Sequence, residues 1–244
     1  MDVDGIFSLH NCFSDDDCNS LMNFISSKEV IASVIKSRKY ESAVDPDAID
    51  YSVFKLVLDA AANSLSSINQ AITGCGRVPQ SWKTSHTKLI FKKGDPQSPS
   101  NWRPISISNA IYRIFSCLWA KAINLFNNNL NIFSPNQTGF ISNVNGCSDN
   151  VAIISELFCD ARRRNKSIVI TALDFTNAFG FVPHKMIFIT LHAKGFPARF
   201  IEIIRSVYTD STTKIVTTRY SLSDIDIKKG SKQECPISQL LFNL

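Results

Sequence analysis

The stretch SIVITALDFTNAFGFVPH, residues 167–184, decides how the rest of the chain is interpreted. Its first part, Ile168–Leu173, is an apolar, β-branched run of strand length that ends on one carboxylate, Asp174. A buried strand can hold a metal ion in this way, because the sheet fixes the acidic ligand rigidly. The same pattern also suits a strand whose terminal acid only caps the next helix. The stretch therefore predicts a central strand and leaves both roles of Asp174 open.

Composition is typical of a globular protein. The chain has 244 residues, 44% hydrophobic and 19% charged, which is enough for one large domain or two small ones. No apolar run reaches membrane-spanning length, and the N-terminus is acidic, unlike a signal or transit peptide. We therefore expect an intracellular protein with no membrane partner. The seven cysteines form no C-x-x-C pair, which favours free thiols over disulfides or a zinc site.

Basic residues cluster on both sides of the central stretch, although the net charge is only +5. Between Arg77 and Arg103 there are six basic residues against a single acid, Asp95. A second cluster, Arg162, Arg163, Arg164 and Lys166, comes just before the predicted strand. Solvated surface lysines are the usual explanation for such runs, but clusters that flank an acid-tipped strand fit a polyanionic ligand better.

The first basic cluster lies on a predicted β-hairpin. Residues 87–92 read as one strand, Lys93-Gly-Asp-Pro96 as a tight turn, and 103–107 as the second strand. Lys92 ends one arm and Arg103 begins the other. Two cations that face each other across a hairpin suit a triphosphate or a nucleic-acid backbone, because arginine offers a bidentate fork and lysine a point charge.

Apolar spacing predicts several helices around these elements. They cover about residues 28–35, 51–72, 109–127, 148–163, 184–194 and 197–208, and residues 230–244 read as a loop that enters a helix. In the helix over 109–127, one face is predicted to be core: Ile111, Ile114, Phe115, Leu118, Ala122 and Leu125. A strand pair is predicted over 213–220 and 224–229, and residues 1–27 read as a surface segment.

Several stretches together resemble the reverse transcriptase domain of non-long-terminal-repeat (LINE-type) retrotransposons. VPQSWKTSHTKLIFKKGD with NWRPISI is similar to the fingers hairpin of that family, and LDFTNAFGFVPH to its first catalytic-aspartate segment. IKKGSKQECPISQLLFNL resembles the segment usually written Gln-Gly-Cys-Pro-Leu-Ser-Pro, and SAVDPDAIDYSVFK a degraded Ser-Ala-Pro-Gly-Pro-Asp-Gly-Ile loop. The resemblance covers about residues 28–244.

The resemblance implies an α+β fold, the fingers and partial palm of a right-hand polymerase with an antiparallel palm sheet and packed helices. Residues 28–166 would form the fingers region and 167–244 the partial palm, while 1–27 stay undetermined. The implied substrates are an RNA template, a DNA primer and deoxynucleoside triphosphates (dNTPs). The implied cofactor is Mg²⁺, which in the full family acts as a pair of ions in phosphoryl transfer.

The resemblance also assigns roles to residues. Asp174 would be the first metal-binding carboxylate, joined by the backbone carbonyl of Phe175, and Phe179 the steric gate that excludes a 2′-hydroxyl. Lys92, Arg103 and Gln233 would bind the nucleotide. The expected nucleic-acid contacts are Lys88, Lys93, Arg162, Arg163 and Arg164. Each has a plainer explanation: Phe179 as core, Lys92 as a solvated turn residue, Gln233 as a polar residue at a helix start.

The sequence also departs from the family pattern. No Asp-Asp pair follows Asp174, although the family carries one on an aromatic-Ala-Asp-Asp hairpin, and one carboxylate cannot hold two Mg²⁺ ions. Glu234 stands where the family has glycine, and Gly180 where it has an acid or polar residue. We therefore expect a polymerase fragment, truncated before that hairpin and inactive alone. The alternatives are a remnant that binds RNA or primer–template without chemistry, and a decayed reading frame whose product does not fold stably.

Overall fold

The computed structural model describes residues 13–39, 47, 49–217, 222–232 and 235–244. Its helices and strands, in chain order, are α1 (Asp15–Ser26), α2 (Lys28–Lys36), α3 (Tyr51–Leu56), α4 (Leu58–Cys75), β1 (Thr84–Phe91), β2 (Trp102–Ser108), α5 (Ala110–Leu130), α6 (Gly146–Arg163), α7 (Ala178–Phe181), α8 (His184–Ala193), α9 (Ala198–Tyr208), β3 (Thr212–Ile215), β4 (Ile225–Asp226) and α10 (Pro236–Asn243). This arrangement confirms the α+β class.

The sheet is mixed, with strand order β2-β1-β3-β4. The hairpin β1–β2 and the pair β3–β4 are both antiparallel, as predicted; β4 is shorter than expected, and residues 218–220 of the predicted third strand fall outside the described residues. The two pairs join in parallel between β1 and β3, so the sheet is not wholly antiparallel. Thr87 fastens this junction, because its hydroxyl bonds those of Ser106 (3.0 Å) and Thr213 (2.8 Å).

The prediction of a central strand over residues 168–173 is wrong. Residues 166–175 form no strand, and they lie outside the four-stranded sheet. Val169 is 89% exposed and Leu173 87% exposed, so the apolar run is not buried. An apolar, β-branched run has the propensity of a strand, but it becomes one only beside a partner edge. Among the described residues, no strand lies alongside it.

The core surrounds α5, which packs against α1, α2 and α10. Trp119 on α5 is fully buried, with its ring 4.7 Å from Phe200 of α9 and 6.2 Å from Phe115. The predicted stripe on α5 is confirmed at four positions: Ile114, Phe115, Leu118 and Ala122 are buried. Ile111 is half-buried, and Leu125 is wrong, since it is 51% exposed.

Local signals define several helix ends. Asn109 caps α5, because its side-chain oxygen accepts a hydrogen bond from the backbone N–H of Tyr112 at 2.7 Å. The helix predicted over 51–72 is divided at Val57 into α3 and α4, and α4 ends at Gly76, whose φ of +70° is left-handed. The end of α4 therefore lies shortly before the hairpin, and α5 begins directly after β2.

The segment before Lys28 was expected to be a plain surface segment, and this is wrong for residues 15–26. They form α1, which starts with a capping box: the Ser14 hydroxyl accepts from the backbone N–H of Asp17 at 3.1 Å, and the Asp17 carboxylate accepts from that of Ser14 at 3.0 Å. Leu21 and Ile25 are fully buried. In the sequence, the three acids of its first turn made this short amphipathic helix look like a surface segment.

Replacing Trp119 by alanine is expected to lower the free energy of unfolding by about 3–5 kcal/mol, because the substitution removes a large side chain from a closed core. Leu125→Ala on the same helix is the matched control, and its half-exposed side chain should cost less than about 1 kcal/mol. Urea unfolding of both variants measures the difference. Equal losses would contradict the placement of the core face.

Helix α6 is formed as predicted, but its apolar side chains are exposed; Val151, for example, is 64% exposed.

The six cysteines that the structure describes are free thiols, in agreement with the sequence. No helix in the described ranges is long and apolar enough to cross a membrane.

Candidate functional site

A cleft of about 980 Å³ lies between the β1–β2 hairpin and the segment that follows the exposed apolar run. It brings together five of the residues singled out in the sequence. The residues among its walls that matter here are Lys92, Trp102, Arg103, Phe140, Asp174, Phe175, Asn177, Phe179, Lys232 and Gln239. The cleft therefore gathers cations from the hairpin, one carboxylate and aromatic rings in one place.

The hairpin register places its two cations on one face. Ile90 pairs with Arg103, and the backbone N–H of Lys92 donates to the carbonyl of Asn101 at 2.8 Å. Because side chains alternate along a strand, Lys92 and Arg103 are diagonal neighbours on the same face. Both side chains are exposed. This position leaves them able to reach an anion in the cleft.

The turn between the two strands is held by local hydrogen bonds. Gly94 has φ +92°, and a Cβ there would lie 2.8 Å from the Asn101 amide nitrogen. That amide donates to the carbonyl of Asp95 at 2.9 Å, and the indole N–H of Trp102 donates to the carbonyl of Pro96 at 2.8 Å. These hydrogen bonds hold the backbone of the hairpin tip in place, which fixes the positions of Lys92 and Arg103.

Asp174 lies on the opposite wall of the cleft and is exposed. The backbone turns at Asn177, which has φ +51°, and α7 follows at once. A carboxylate and nearby carbonyl oxygens are donors that suit Mg²⁺, which often binds through one or two carboxylates together with substrate phosphates. Among the described residues, no group of three or more acids, histidines or cysteines is placed to hold a metal ion, and Asp174 is the one carboxylate among the residues that line the cleft.

A close approach of two loops sets the position of Phe179. The backbone N–H of Gly230 donates to the carbonyl of Val182 (2.7 Å), and that of Ser231 to the carbonyl of Phe179 (2.8 Å). Gly230 has φ +90°, and a Cβ there would meet backbone atoms of Gly180 at 3.0–3.2 Å. The space at Gly180 is limited by a different group, since a Cβ there would lie 2.4–2.8 Å from side-chain atoms of Asn177.

Phe179 is half-buried within an aromatic group. Its ring stacks on Phe242 of α10, with centroids 4.4 Å apart, and meets Phe140 edge-on at 6.2 Å. The loop that carries Phe140 is fastened to α10, because the amide of Asn243 donates to the carbonyl of Gly139 at 2.6 Å. The core interpretation of Phe179 is therefore partly right, although the residue also lines the cleft.

Lys232 is a cleft residue that sequence reasoning missed. It is 4% exposed, and its ammonium lies 3.4 Å from the carbonyl oxygens of Trp82 and Lys83 and 5.0 Å from the Tyr112 ring centroid. Burial lowers the pKa of Lys232 to about 8, with a smaller opposite effect from Cys235 and a further lowering from Lys83. In the sequence, Lys232 stands among polar and charged residues, and nothing in that pattern predicts that its side chain is buried.

This lysine predicts a pH dependence of stability. Its folded pKa of about 8 lies below the ordinary 10.5, so from pH 8 to 10.5 the unfolded chain holds more protons on Lys232 than the folded chain does. The free energy of unfolding should therefore rise with pH across this window. Relative to Lys232→Met, the wild type should gain roughly 2 kcal/mol between pH 8 and 10.

Urea unfolding of both proteins at pH 7, 8, 9 and 10 measures this difference. Subtracting the unfolding free energy of Lys232→Met from that of the wild type cancels the contribution of the buried tyrosines, which both proteins contain. A difference that stays flat, or falls with pH, would show that the ammonium is not buried as described.

Other predicted residues lie outside this cleft's lining. Lys88 and Lys93 are exposed on the hairpin, and Arg162, Arg163 and Arg164 are exposed at the end of α6. Arg164 forms an ion pair with Asp160 at 2.8 Å. Gln233, predicted to bind the nucleotide, and Glu234 fall outside the described residues. The roles predicted for all of these residues stay predictions.

Comparison with known proteins adds independent information. Residues 90–244 match the family described as reverse transcriptase (RNA-dependent DNA polymerase). The chain is 29% identical over 203 residues to the Retrovirus-related Pol polyprotein from type-2 retrotransposable element R2DM of Drosophila melanogaster, covering 83% of this chain and 18% of that protein. It is 32% identical over 169 residues to the Pol polyprotein from type-1 retrotransposable element R2 of Popillia japonica, covering 69% and 23%.

A third relative is the Transposon TX1 uncharacterized 149 kDa protein of Xenopus laevis, 31% identical over 172 residues, which cover 69% of this chain and 13% of that protein. The chain thus spans less than a quarter of the length of these three relatives. The matched region includes β2 and all the residues that line the cleft.

Proposed function

We propose that this chain, which belongs to the reverse transcriptase (RNA-dependent DNA polymerase) family, forms the nucleotide-binding part of a retrotransposon RNA-directed DNA polymerase. One observation carries the proposal: a single cleft gathers Lys92, Arg103, Asp174, Phe175 and Phe179. Residues 28–166 act as the fingers and 167–244 as the palm portion. The substrates are an RNA template, a DNA primer and a dNTP.

The hairpin cations bind the triphosphate. Arg103 offers its planar fork to two phosphate oxygens, and Lys92 supplies a point charge beside it. Their diagonal placement on one face of the hairpin supports this role. Lys232 adds a third positive charge at the back of the cleft while its ammonium stays protonated.

Asp174 and the backbone carbonyl of Phe175 would hold Mg²⁺ together with the triphosphate. When bound, the ion supplies charge neutralisation for the transferred phosphoryl group. Two-ion catalysis needs further carboxylates beside Asp174, so extension of a primer requires a protein in which they are present. Binding without chemistry remains the second candidate, favoured by the single carboxylate lining the described cleft.

Phe179 acts as the steric gate for the sugar. Its ring is braced by Phe242 and Phe140, so it cannot swing away from a bulkier sugar without losing both ring contacts. The exposed basic residues of the hairpin and of the end of α6 contact the polynucleotide backbone. They are Lys88, Lys93, Arg162, Arg163 and Arg164.

The test is template-directed nucleotide selection in Mg²⁺. The chain is mixed with a primer–template whose next template base is fixed, and the stability of the complex is measured with each dNTP. The complementary dNTP should stabilise the complex about tenfold more than the other three. The complementary ribonucleotide should do so less, and Phe179→Val should narrow that gap. Stabilisation that ignores complementarity would reject the polymerase function.

A further inference from the structure

A second cavity, of about 500 Å³, lies against the side of α5 that faces the hairpin. Three cationic residues line it, Arg38, Lys39 and Arg113, with the hydroxyls of Ser37 and Ser106 and the ring of Tyr51. Cationic forks and hydroxyl donors around a space of this size suit an oxyanion. We propose that this cavity is a second phosphate-binding site, separate from the nucleotide cleft.

Arg38 is the central group of the proposed site. Its guanidinium donates to the Cys117 thiol at 3.0 Å and to the Ser37 hydroxyl at 3.3 Å, and both of these partners are neutral groups. Its Nε is buried without a hydrogen-bond partner among the described residues. A buried donor left in this state costs free energy, which a bound phosphate oxygen would recover.

Arg113 brings a second guanidinium from the first turns of α5. Its Cζ lies 4.9 Å from the centroid of the Tyr51 ring, so the aromatic face fixes the plane of the fork. A guanidinium held by stacking has a defined orientation, which suits bidentate contact with two oxygens of a phosphate. The two arginines come from parts of the chain far apart in sequence, the end of α2 and the start of α5, and meet only in the fold.

Two titratable groups beside Arg38, the Tyr51 hydroxyl and the Cys117 thiol, are uncharged near pH 7. Burial raises the pKa of the Tyr51 hydroxyl and of the Cys117 thiol, although the arginines act in the opposite direction on both. Both groups therefore stay protonated and uncharged near pH 7. Neither supplies the negative charge that would neutralise Arg38.

The position of the cavity indicates which phosphates can reach it. Ile105 of β2 lines both this cavity and the nucleotide cleft, so the two spaces are adjacent along the hairpin. A polynucleotide strand in the cleft could continue into the cavity, or a free pyrophosphate could occupy it. Phosphate is the shared chemistry; only the strand alternative rests on the proposed function.

The first arm of the test uses a single-stranded oligoribonucleotide of about 12 nucleotides. Its affinity is measured between 50 and 200 mM salt for the wild type and for Arg38→Gln. Losing one phosphate contact should reduce the slope of log affinity against log salt by about 0.7, and weaken binding several-fold at low salt. Arg199→Gln is the matched control, since Arg199 is exposed and paired with Glu202 at 2.7 Å.

Ser37→Glu keeps the test valid if Arg38→Gln unfolds. Ser37 is exposed and lines the cavity, so a carboxylate there opposes a phosphate, and it replaces only the hydroxyl that accepts from Arg38 and donates to the carbonyl of Val34. It should lower the oligoribonucleotide affinity as Arg38→Gln does. Circular dichroism of each variant shows whether the fold is kept.

The second arm uses inorganic pyrophosphate and a chain that already carries Lys92→Met and Arg103→Gln, so that binding to the nucleotide cleft is suppressed. Residual pyrophosphate binding that Ser37→Glu abolishes, with unchanged oligoribonucleotide binding, assigns the site to a free anion. Loss of oligoribonucleotide affinity assigns it to a strand. If neither probe responds to Arg38→Gln or Ser37→Glu, the site is refuted, whatever the nucleotide cleft does.

Discussion

Replacing Asp174 by asparagine is expected to remove the Mg²⁺-dependent part of nucleotide binding, lowering dNTP affinity about 10- to 100-fold in Mg²⁺ and little in its absence. The amide keeps the size of the side chain but loses the charge that a hard cation needs. Asp174 is exposed, so the free energy of unfolding should change by less than about 0.5 kcal/mol. Titration with dNTP, with Mg²⁺ and with EDTA, measures both affinities.

The control for this substitution is Asp59→Asn, which removes the same charge from an exposed position on α4. It should leave dNTP affinity unchanged under both conditions. Equal affinity of Asp174→Asn and wild type in Mg²⁺ would mean that the carboxylate does not hold the ion.

The second large effect is expected from the hairpin cations. Each charge-assisted contact to a phosphate contributes about 1.5–3 kcal/mol, so Lys92→Met or Arg103→Gln should weaken dNTP binding at least tenfold. The double variant should lose about 100-fold or more, with departures from additivity because the side chains are diagonal neighbours. The effect should shrink strongly for a nucleoside, which has no phosphates.

Lys88→Met is the matched control for these variants, since Lys88 lies on the same strand and outside the described lining of the cleft. It should leave free dNTP affinity unchanged, although it is expected to weaken polynucleotide binding. A loss of dNTP affinity as large as that of Lys92→Met would indicate that general positive charge, and not the cleft, binds the nucleotide.

The hairpin shows what the sequence alone can predict. Its turn residues and flanking apolar strands are local signals, and they are enough to place Lys92 and Arg103 on neighbouring arms. The pairing of Ile90 with Arg103 confirms the hairpin and sets the register that puts both cations on one face. Helix ends such as Asn109 and Gly76 also depend on neighbouring residues, and both lie close to their predicted places.

The features that the sequence did not predict depend on distant residues. The run at 168–173 has strand propensity, but none of the four described strands pairs with it. Lys232 reads as a loop cation, yet the fold encloses it against the carbonyls of Trp82 and Lys83. Such contacts leave no local pattern.

The most direct test of the account is photolabelling of the chain with an azido-dATP in Mg²⁺, followed by mapping of the labelled peptides. Labels are expected among residues 102–105 or 174–179, both of which line the cleft, and unlabelled dATP should suppress them. The Lys92→Met, Arg103→Gln variant should lose these labels. Labels confined to α1 or α6, or labels that excess dATP does not suppress, would contradict the nucleotide-binding cleft.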